Sequence, residues 1–270
     1  MTRDESAVAT PRRRRTVDWP LVAAGLGVAL LALYALPVLA LAVATPPGEL
    51  VARLGDPATL RAITNSLLTA TTATAVATAF GVPLAYWLSR TGGHLATAVT
   101  GVVVLPLVLP PVVAGILLVS VFGPNGLAPT ATAFGVQFTR SYLGIVVAQT
   151  FVASPFVVVT ATAAFDRVDP ALADAARSLG HDELATFRRV VLPLAWPGIL
   201  AGITLTFARS MGEFGATMLV AYYPRTVPVQ IWREFVGSGL DAALPLAAVL
   251  LAVSLAVVVG LHVLGADPWR

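Results

Sequence analysis

Long apolar stretches are the feature that most limits what this chain can fold into. Hydrophobic residues make up 57% of its 270 residues and charged residues only 11%, a balance outside the range of soluble globular domains. Six stretches each approach or exceed the roughly twenty residues that a helix needs to cross a bilayer. They cover residues 19–45, 62–88, 97–122, 142–164, 196–221 and 240–264. The stretches are continuous, whereas the strands of a membrane β-barrel alternate apolar and polar residues and are about half as long. We therefore predict an all-α, polytopic membrane protein with six transmembrane helices.

The first apolar stretch has two interpretations, a secretory signal peptide or a retained span. Residues 1–18 are polar and contain four consecutive arginines at 12–15. The stretch that follows is longer than the roughly 7–15 residues of a signal core, and it lacks a convincing small-x-small cleavage site. We therefore expect an arginine-rich N-terminus at 1–18, a six-helix domain at 19–265 that includes a polar loop at 165–195, and a tail at 266–270.

The arginines are divided unequally between the two sides of these predicted spans. With six spans both termini lie on one side, which then holds Arg3, the arginines at 12–15, Arg90, Arg167, Arg177, Arg188, Arg189 and Arg270. The other side holds Arg53, Arg61, Arg140, Arg225 and Arg233. Cytoplasmic loops carry the excess of positive charge. The distribution therefore predicts that the termini and the 165–195 loop are cytoplasmic.

Missing residue types exclude several kinds of site. Without cysteine there can be no disulfide, thiolate metal site or cysteine nucleophile. Without lysine there can be no GxxxxGK[ST] loop, so we do not expect this chain to hydrolyse ATP by the P-loop route. His94, His181 and His262 are too scattered for a metal triad. We predict no catalytic site, metal or cofactor in this chain, and we interpret the arginines at 12–15 as a topology signal next to lipid rather than a nucleic-acid site.

The polar loop carries the most specific motif in the sequence. Its motif residues are acidic, small or apolar, and they are Asp174, Ala175, Ala176, Gly180, Val190, Leu192 and Pro193. Asp169 can cap a first short helix that Pro170 opens, and Gly180 can take the positive φ that ends it. Asp182 can then start a second helix that stops near Pro193. The spacing predicts two short helices that meet at a bend and dock on a partner.

Two of the predicted spans contain residues that are costly inside a membrane. The third has Pro106, Pro110 and Pro111 within six residues, which predicts a break that protein or water must cover, although a simple kink at a helix contact is an alternative. In the fifth, Arg209 and Glu213 are four residues apart and would share one helical face. Each charge costs at least ~2.5–3.5 kcal/mol at the centre of a span. They either line a water-filled path or form an ion pair that only fixes packing, and we predict a translocation path that includes Arg209, Ser210, Glu213, Pro110 and Pro111.

The polar loop resembles the EAA loop of ABC-importer permeases, with Asp174 where glutamate is usual and Val190 where isoleucine is usual. The order of LPLVLPPVVAG at 105–115, DAARSLG at 174–180 and ARSMGEFGATMLV at 208–220 is similar to the permeases of molybdate, tungstate and sulfate importers. The similarity extends from about residue 60 to residue 262.

The resemblance implies a plasma-membrane permease that works as a homodimer. Its implied partners are two cytoplasmic ATPases, which bind ATP and Mg, and an external or lipid-anchored protein that delivers the anion, with molybdate or tungstate expected ahead of sulfate or thiosulfate. An ion-coupled secondary transporter is the alternative by class, but it would need interrupted helices in two related halves, and the third span has no matching partner in the sequence. A membrane enzyme ranks third, because only Arg209 and Glu213 are ionisable at the required depth.

Overall fold

Helices make up all the regular structure in residues 19–263, the part of the chain that the computed structural model describes. They are α1 (Trp19–Ala44), α2 (Pro47–Gly55), α3 (Pro57–Arg90), α4 (His94–Val108), α5 (Pro111–Phe122), α6 (Ala128–Ala133), α7 (Tyr142–Asp166), α8 (Pro170–Ser178), α9 (Glu183–Thr186), a π-helical turn (Phe187–Val191), α10 (Leu192–Met211), α11 (Gly215–Val220), α12 (Val227–Ser238) and α13 (Leu240–Val263). The described residues divide into two compact units between Ala44 and Thr45. The first unit is the single apolar helix α1, and all contacts below belong to the second.

The predicted second span is longer than its apolar stretch because its start is set by capping. Asp56 accepts hydrogen bonds from the backbone N–H groups of Ala58 at 3.1 Å and Thr59 at 3.2 Å, and Pro57 occupies the first helical position. The hydrogen bond from Ala58, followed by that from the Thr59 hydroxyl, lowers the pKa of Asp56. Hydrogen bonds to an ionised carboxylate at a helix start stabilise that start. The helix therefore begins at Pro57 rather than where the apolar residues begin.

The core consists of α3, α7 and α10, which approach closely because small residues line their contacts. A Cβ on Gly81 would lie 3.0 Å from Val158, and a Cβ on Gly198 would lie 2.6 Å from Ala164. Gly202 packs directly against Thr160. Small residues at helix contacts favour packing where no hydrophobic driving force acts between helices in lipid. The Gly198 and Gly202 contacts run backwards along α7, so α10 is antiparallel to it.

Two sets of contacts define the ends of this core. Tyr142 at the start of α7 bonds to Asn65 near the start of α3. Tyr86 near the end of α3 packs on Phe165 near the end of α7. The helices α3 and α7 are therefore parallel, and we call the end with Tyr142 the α12 end and the end with Phe165 the α8 end.

The third predicted span is broken, and it crosses the bundle. The axes of α4 and α5 differ by 114°, and the break lies at Leu109 and Pro110, both of which have extended backbone because each precedes a proline. In α4, Val99 and Val103 pack against the cluster that contains Phe165 at the α8 end. The ring of Phe122, at the end of α5, lies 4.8 Å from that of Phe138 just before α7. The pair therefore connects both ends as one interrupted span, and the prediction of six spans is confirmed for the described residues.

The second helix of the polar loop does not stop near Pro193, as the sequence had indicated. It continues from Glu183 through the π-helical turn into α10, so that a single helical segment reaches Met211. The N–H of Leu192 donates to the carbonyl of Phe187, an i→i−5 bond. A widened turn accommodates the missing N–H and the ring of a proline that would break a regular helix. The loop is therefore joined to the core without an interruption in the helix.

Candidate coupling loop and translocation path

The polar loop has the two-helix geometry that its residues predict. Asp169 accepts from the N–H of Ala171 at 2.9 Å to start α8, and Asp182 accepts from the N–H of Ala185 at 2.6 Å to start α9. Gly180 has a φ of +89°, the left-handed conformation that commonly ends a helix. The predicted caps and the predicted bend are confirmed.

The side chains of the loop divide into a packed face and an open face. Ala173 and Ala176 are buried, and Ala173 belongs to the same core cluster as Val191 in the π-helical turn. Asp174 and Ala175 are exposed. Asp174 pairs with Arg177, and this hydrogen bond raises the pKa of the Arg177 guanidinium. The open face therefore carries Asp174 and Ala175 of the motif, whereas Ala176 lies on the packed face.

Exposed leucines accompany this open face, and the motif analysis missed them. Leu179 is 82% exposed, and Leu172 and Leu184 are also exposed. Exposed apolar side chains on an otherwise polar loop are typical of interaction surfaces. Their signal in the sequence is the presence of leucine in a loop rich in charged residues. Together with Asp174 and Ala175 they form what we call the docking face.

An aromatic cluster connects the loop to the core. The ring of Tyr86 lies 4.7 Å from that of Phe187 in the π-helical turn and 5.3 Å from that of Phe165. These three rings come from α3, α7 and the π-helical turn that leads into α10, so the loop packs on the core through three elements. The cluster joins residues far apart in sequence, and no local pattern predicts it.

The fifth predicted span is also broken. The helix α10 ends at Met211 and α11 starts at Gly215. The N–H of Glu213 bonds to the carbonyl of Ser210 at 3.1 Å, a tight turn in place of a helical turn. The prediction that Arg209 and Glu213 share one helical face is therefore wrong, because Glu213 lies beyond the end of α10.

The two charges nevertheless pair, and Glu213 has a second contact. Nη2 of Arg209 lies 2.5 Å from Oε2 of Glu213, in a contact that lacks the alignment of a hydrogen bond. Oε1 of Glu213 accepts a hydrogen bond from the N–H of Ala216 at 2.8 Å. Glu213 is 1% exposed, whereas the side chain of Arg209 is 28% exposed. Glu213 therefore caps α11 from the interior while it compensates an arginine that reaches towards the surface.

The break in α10–α11 lies against the break in α4–α5. A Cβ on Gly215 would lie 2.8 Å from the Cβ of Pro111. A Cβ on Gly115 would lie 3.0 Å from both the Cα of Ala216 and the Cβ of Leu219. Two short helices that follow breaks, α5 and α11, thus pack through glycine contacts. The structure therefore brings the predicted prolines next to the Glu213 turn and keeps both apart from the docking face at the α8 end.

Buried hydroxyl groups add polarity near the second break. The hydroxyls of Thr206, Ser210 and Thr217 are buried without a hydrogen-bond partner among the described residues. Ser210 has no exposed surface in the single chain, so of the predicted path residues in α10 it is Arg209 that reaches the surface. Within residues 19–263 no three His, Asp or Glu side chains meet as a metal site.

A helical membrane bundle with two interrupted spans and a two-helix docking loop belongs to the class of importer permeases. Residues 79–266 match the family described as binding-protein-dependent transport system inner membrane component. The chain belongs to this family.

Relatives in sequence and in structure agree with this class. The chain is 54% identical over 241 residues to a probable molybdenum ABC transporter permease protein of Haloferax volcanii, covering 89% of this chain and 88% of that protein. It is 40% identical to a molybdate/tungstate transport system permease protein of Thermococcus kodakarensis, covering 87% and 92%. A chain of a bacterial alginate ABC transporter has a TM-score of 0.70 at 20% identity, covering 94% and 96%, which shows a shared fold.

Proposed function

We propose that this chain is the permease subunit of an ATP-driven importer of molybdate or tungstate. The observation that carries the proposal is the polar loop, whose second helix continues without interruption to the first of two adjoining helix breaks. The printed functions of the two archaeal relatives support the substrate. The chain itself contributes a path and a coupling element, and a separate protein supplies the energy.

The proposed assembly contains two copies of this chain, two cytoplasmic ATPases and an anion-binding protein. Each chain has one docking face and so engages one ATPase, and twofold symmetry is the commonest way to close an oligomer. ATP and Mg bind to the ATPases. The binding protein is external or lipid-anchored, and it carries most of the selectivity among anions. Nucleic acid has no part in this assembly.

The proposed location is the plasma membrane with both termini cytoplasmic. The arginines at residues 1–18 and in the 165–195 loop, together with Arg270, support this orientation. Residues 1–18 and 264–270 lie outside the described residues. On this orientation the α8 end faces the cytoplasm and the α12 end faces the binding protein, and lipid surrounds the apolar spans.

The coupling role falls to the loop motif. Asp174, Ala175 and the exposed leucines enter a groove on the ATPase, while Ala176 and Gly180 set the shape of α8. Val190 lies in the π-helical turn, and Leu192 and Pro193 are the first two residues of α10, so these three residues lie where the loop joins α10. The helix α8 packs on the π-helical turn and the aromatic cluster. A movement of the ATPase therefore rotates or shifts α10 as a rigid body.

The path role falls to the two breaks, with Arg209, Ser210, Glu213, Pro110 and Pro111. A lone arginine in low-dielectric surroundings binds a dianion tightly, because charge-assisted bonds are strong there. Its pairing with Glu213 leaves only part of that charge for the anion. This balance favours passage over capture.

Uptake into proteoliposomes tests the substrate. The complete complex with its binding protein is supplied with labelled molybdate, tungstate or sulfate, and each is competed with the other two. We expect uptake of molybdate or tungstate that excess sulfate reduces little. Preferred uptake of sulfate would make sulfate the substrate in place of molybdate or tungstate. Uptake of a sugar or cation in place of all three anions would refute the oxyanion proposal.

A further inference from the structure

A polar cluster at the α12 end lies outside both the docking face and the proposed path. Asn65 in α3 donates from Nδ2 to the carbonyl of Arg225 at 2.8 Å and accepts at Oδ1 from the hydroxyl of Tyr142 at 2.8 Å. Its neighbour Ser66 accepts at Oγ from the N–H of Val227 at 2.8 Å. Two adjacent residues of α3 therefore hold the chain just before and at the start of α12, and one of them also holds α7.

The chain that is held here is the continuation of the broken fifth span. Residues 221–226, which we call the outer segment, connect α11 to α12. The N–H of Arg140 bonds to the carbonyl of Val220 at 3.1 Å, which fixes the start of the same segment. Thr226 is 1% exposed and Val227 is 2% exposed. The outer segment is thus held at both of its ends. Its start is attached to the residues before α7, and its end is attached to α3.

Asn65 is the residue of this cluster that cannot be exchanged without breaking a connection. Its carboxamide uses one donor and one acceptor in two different directions, and both bonds join elements distant in sequence. Ser, Thr or Asp can accept from Tyr142 but none reproduces the amide donor at that position and length. Loss of the amide donor removes this hydrogen bond from the partly buried carbonyl of Arg225.

We propose that Asn65 is a positioning residue that keeps the external side of the permease closed. It holds the outer segment, and through it α11, against α3 and α7 until the binding protein delivers its anion. Without this connection Ser66 alone attaches the outer segment to α3, the hold on α11 weakens, and the ATPases hydrolyse ATP without the loaded binding protein. The proposal rests on the importer function proposed above.

A cysteine at Thr226 reports directly on the outer segment, because the native chain contains no cysteine. Thr226→Cys is combined with Asn65→Ala, Asn65→Asp or Tyr142→Phe in the complete complex in detergent. Asn65→Asp is isosteric and keeps the acceptor for Tyr142 but loses the donor to Arg225. The matched control is Thr64→Ala, because the Thr64 hydroxyl bonds only to the Leu60 carbonyl in its own helix at 2.9 Å. The measurements are the rate of maleimide labelling and the ATPase rate without binding protein.

We expect labelling about fivefold faster or more in both Asn65 variants, since loss of one partly buried hydrogen bond shifts a local opening equilibrium by this order. Tyr142→Phe should fall between these variants and the control, and Thr64→Ala should match the native rate. ATPase activity without binding protein should rise in parallel with labelling. Unchanged labelling in both Asn65 variants would overturn the proposal, and so would faster labelling without any rise in ATPase activity.

The labelling arm does not depend on which substrate is carried. If the native complex takes up no anion, the proposed function fails while the attachment of the outer segment is still measured. If the native complex takes up anion but Asn65→Asp labels and hydrolyses ATP as the native complex does, the further inference alone fails.

Discussion

The carboxylate of Glu213 makes two contacts that substitutions can separate. Glu213→Gln keeps an acceptor for the N–H of Ala216 and removes the charge that pairs with Arg209, whereas Glu213→Ala removes both. Because the cap is buried, we expect the alanine variant to lose about 1–3 kcal/mol more stability than the glutamine variant. Thermal unfolding of the purified complex measures this, with the exposed Glu49→Ala as the control. Equal losses in the glutamine and alanine variants would show that the ion pair alone stabilises the turn.

Arg209 is predicted to act on transport rather than on anion capture. Arg209→Ala alone leaves Glu213 buried and unpaired, which can prevent assembly. The double variant Arg209→Ala, Glu213→Gln removes both charges and keeps the cap on α11. We expect this double variant to assemble, to take up anion at least about tenfold more slowly, which corresponds to about 1.4 kcal/mol, and to leave the affinity of the separate binding protein unchanged. If the assembled double variant takes up anion at the native rate, Arg209 is not part of the translocation path.

At this scale the residues could be predicted but not their geometry. Ionisable residues in an apolar stretch stand out in the sequence, and Arg209 and Glu213 were found for that reason. Their spacing of four suggested one helical face, because a continuous apolar stretch gives no sign of where a helix ends. The turn at Gly212 and the cap on Ala216 depend on close packing of Gly215 on Pro111, a contact between residues more than a hundred positions apart.

Among the elements, the bend of the docking loop is open to a direct test. Gly180 has a φ of +89°, and a Cβ there would meet no atom within 4 Å. Gly180→Val therefore creates backbone strain of about 1–2 kcal/mol without a steric clash, and the strain should tilt α8. We expect ATP hydrolysis stimulated by loaded binding protein to fall, and Gly180→Asn, which tolerates left-handed backbone better, to retain most of it. Normal stimulation in the valine variant would contradict a coupling role for this bend.

The contact between the two broken spans gives a prediction about α5 and α11. A side chain at Gly215 would overlap Pro111, so Gly215→Val must separate the two helices, and overpacking of this kind costs about 1–3 kcal/mol. Gly237→Ala is the control, because a Cβ there meets nothing within 4 Å. The yield of monodisperse complex should fall only for Gly215→Val. Equal yields would mean that the two breaks move apart freely.

Hydropathy located the spans, and short-range rules explain where some of them begin. Asp169 and Asp182 are helix starts that capping rules predict, whereas the cap at Asp56 was not predicted and hydropathy placed that start at residue 62. The continuation of α9 into α10 was missed because a proline usually marks a helix end, whereas here the helix continues past Pro193 after a π-helical turn. The aromatic cluster of Tyr86, Phe165 and Phe187 was missed because it depends on the parallel packing of α3 and α7.

The whole molecule is predicted to function as a pair. On the proposed function, one docking face per chain and two ATPases per complex predict two copies of this chain. Native mass spectrometry of the purified complex should give two copies of this chain and two ATPases. A mass that corresponds to one permease and two ATPases would contradict the twofold arrangement and the shared path.

The central claim is that ATP hydrolysed by another protein drives transport through this chain. The most direct measurement is uptake of labelled tungstate into proteoliposomes that contain the complete complex, with loaded binding protein on one side and ATP or a non-hydrolysable analogue on the other. We predict uptake only with ATP, insensitive to ionophores that collapse ion gradients. Uptake that proceeds without ATP and stops when the ion gradients collapse would contradict the account and identify a secondary transporter instead.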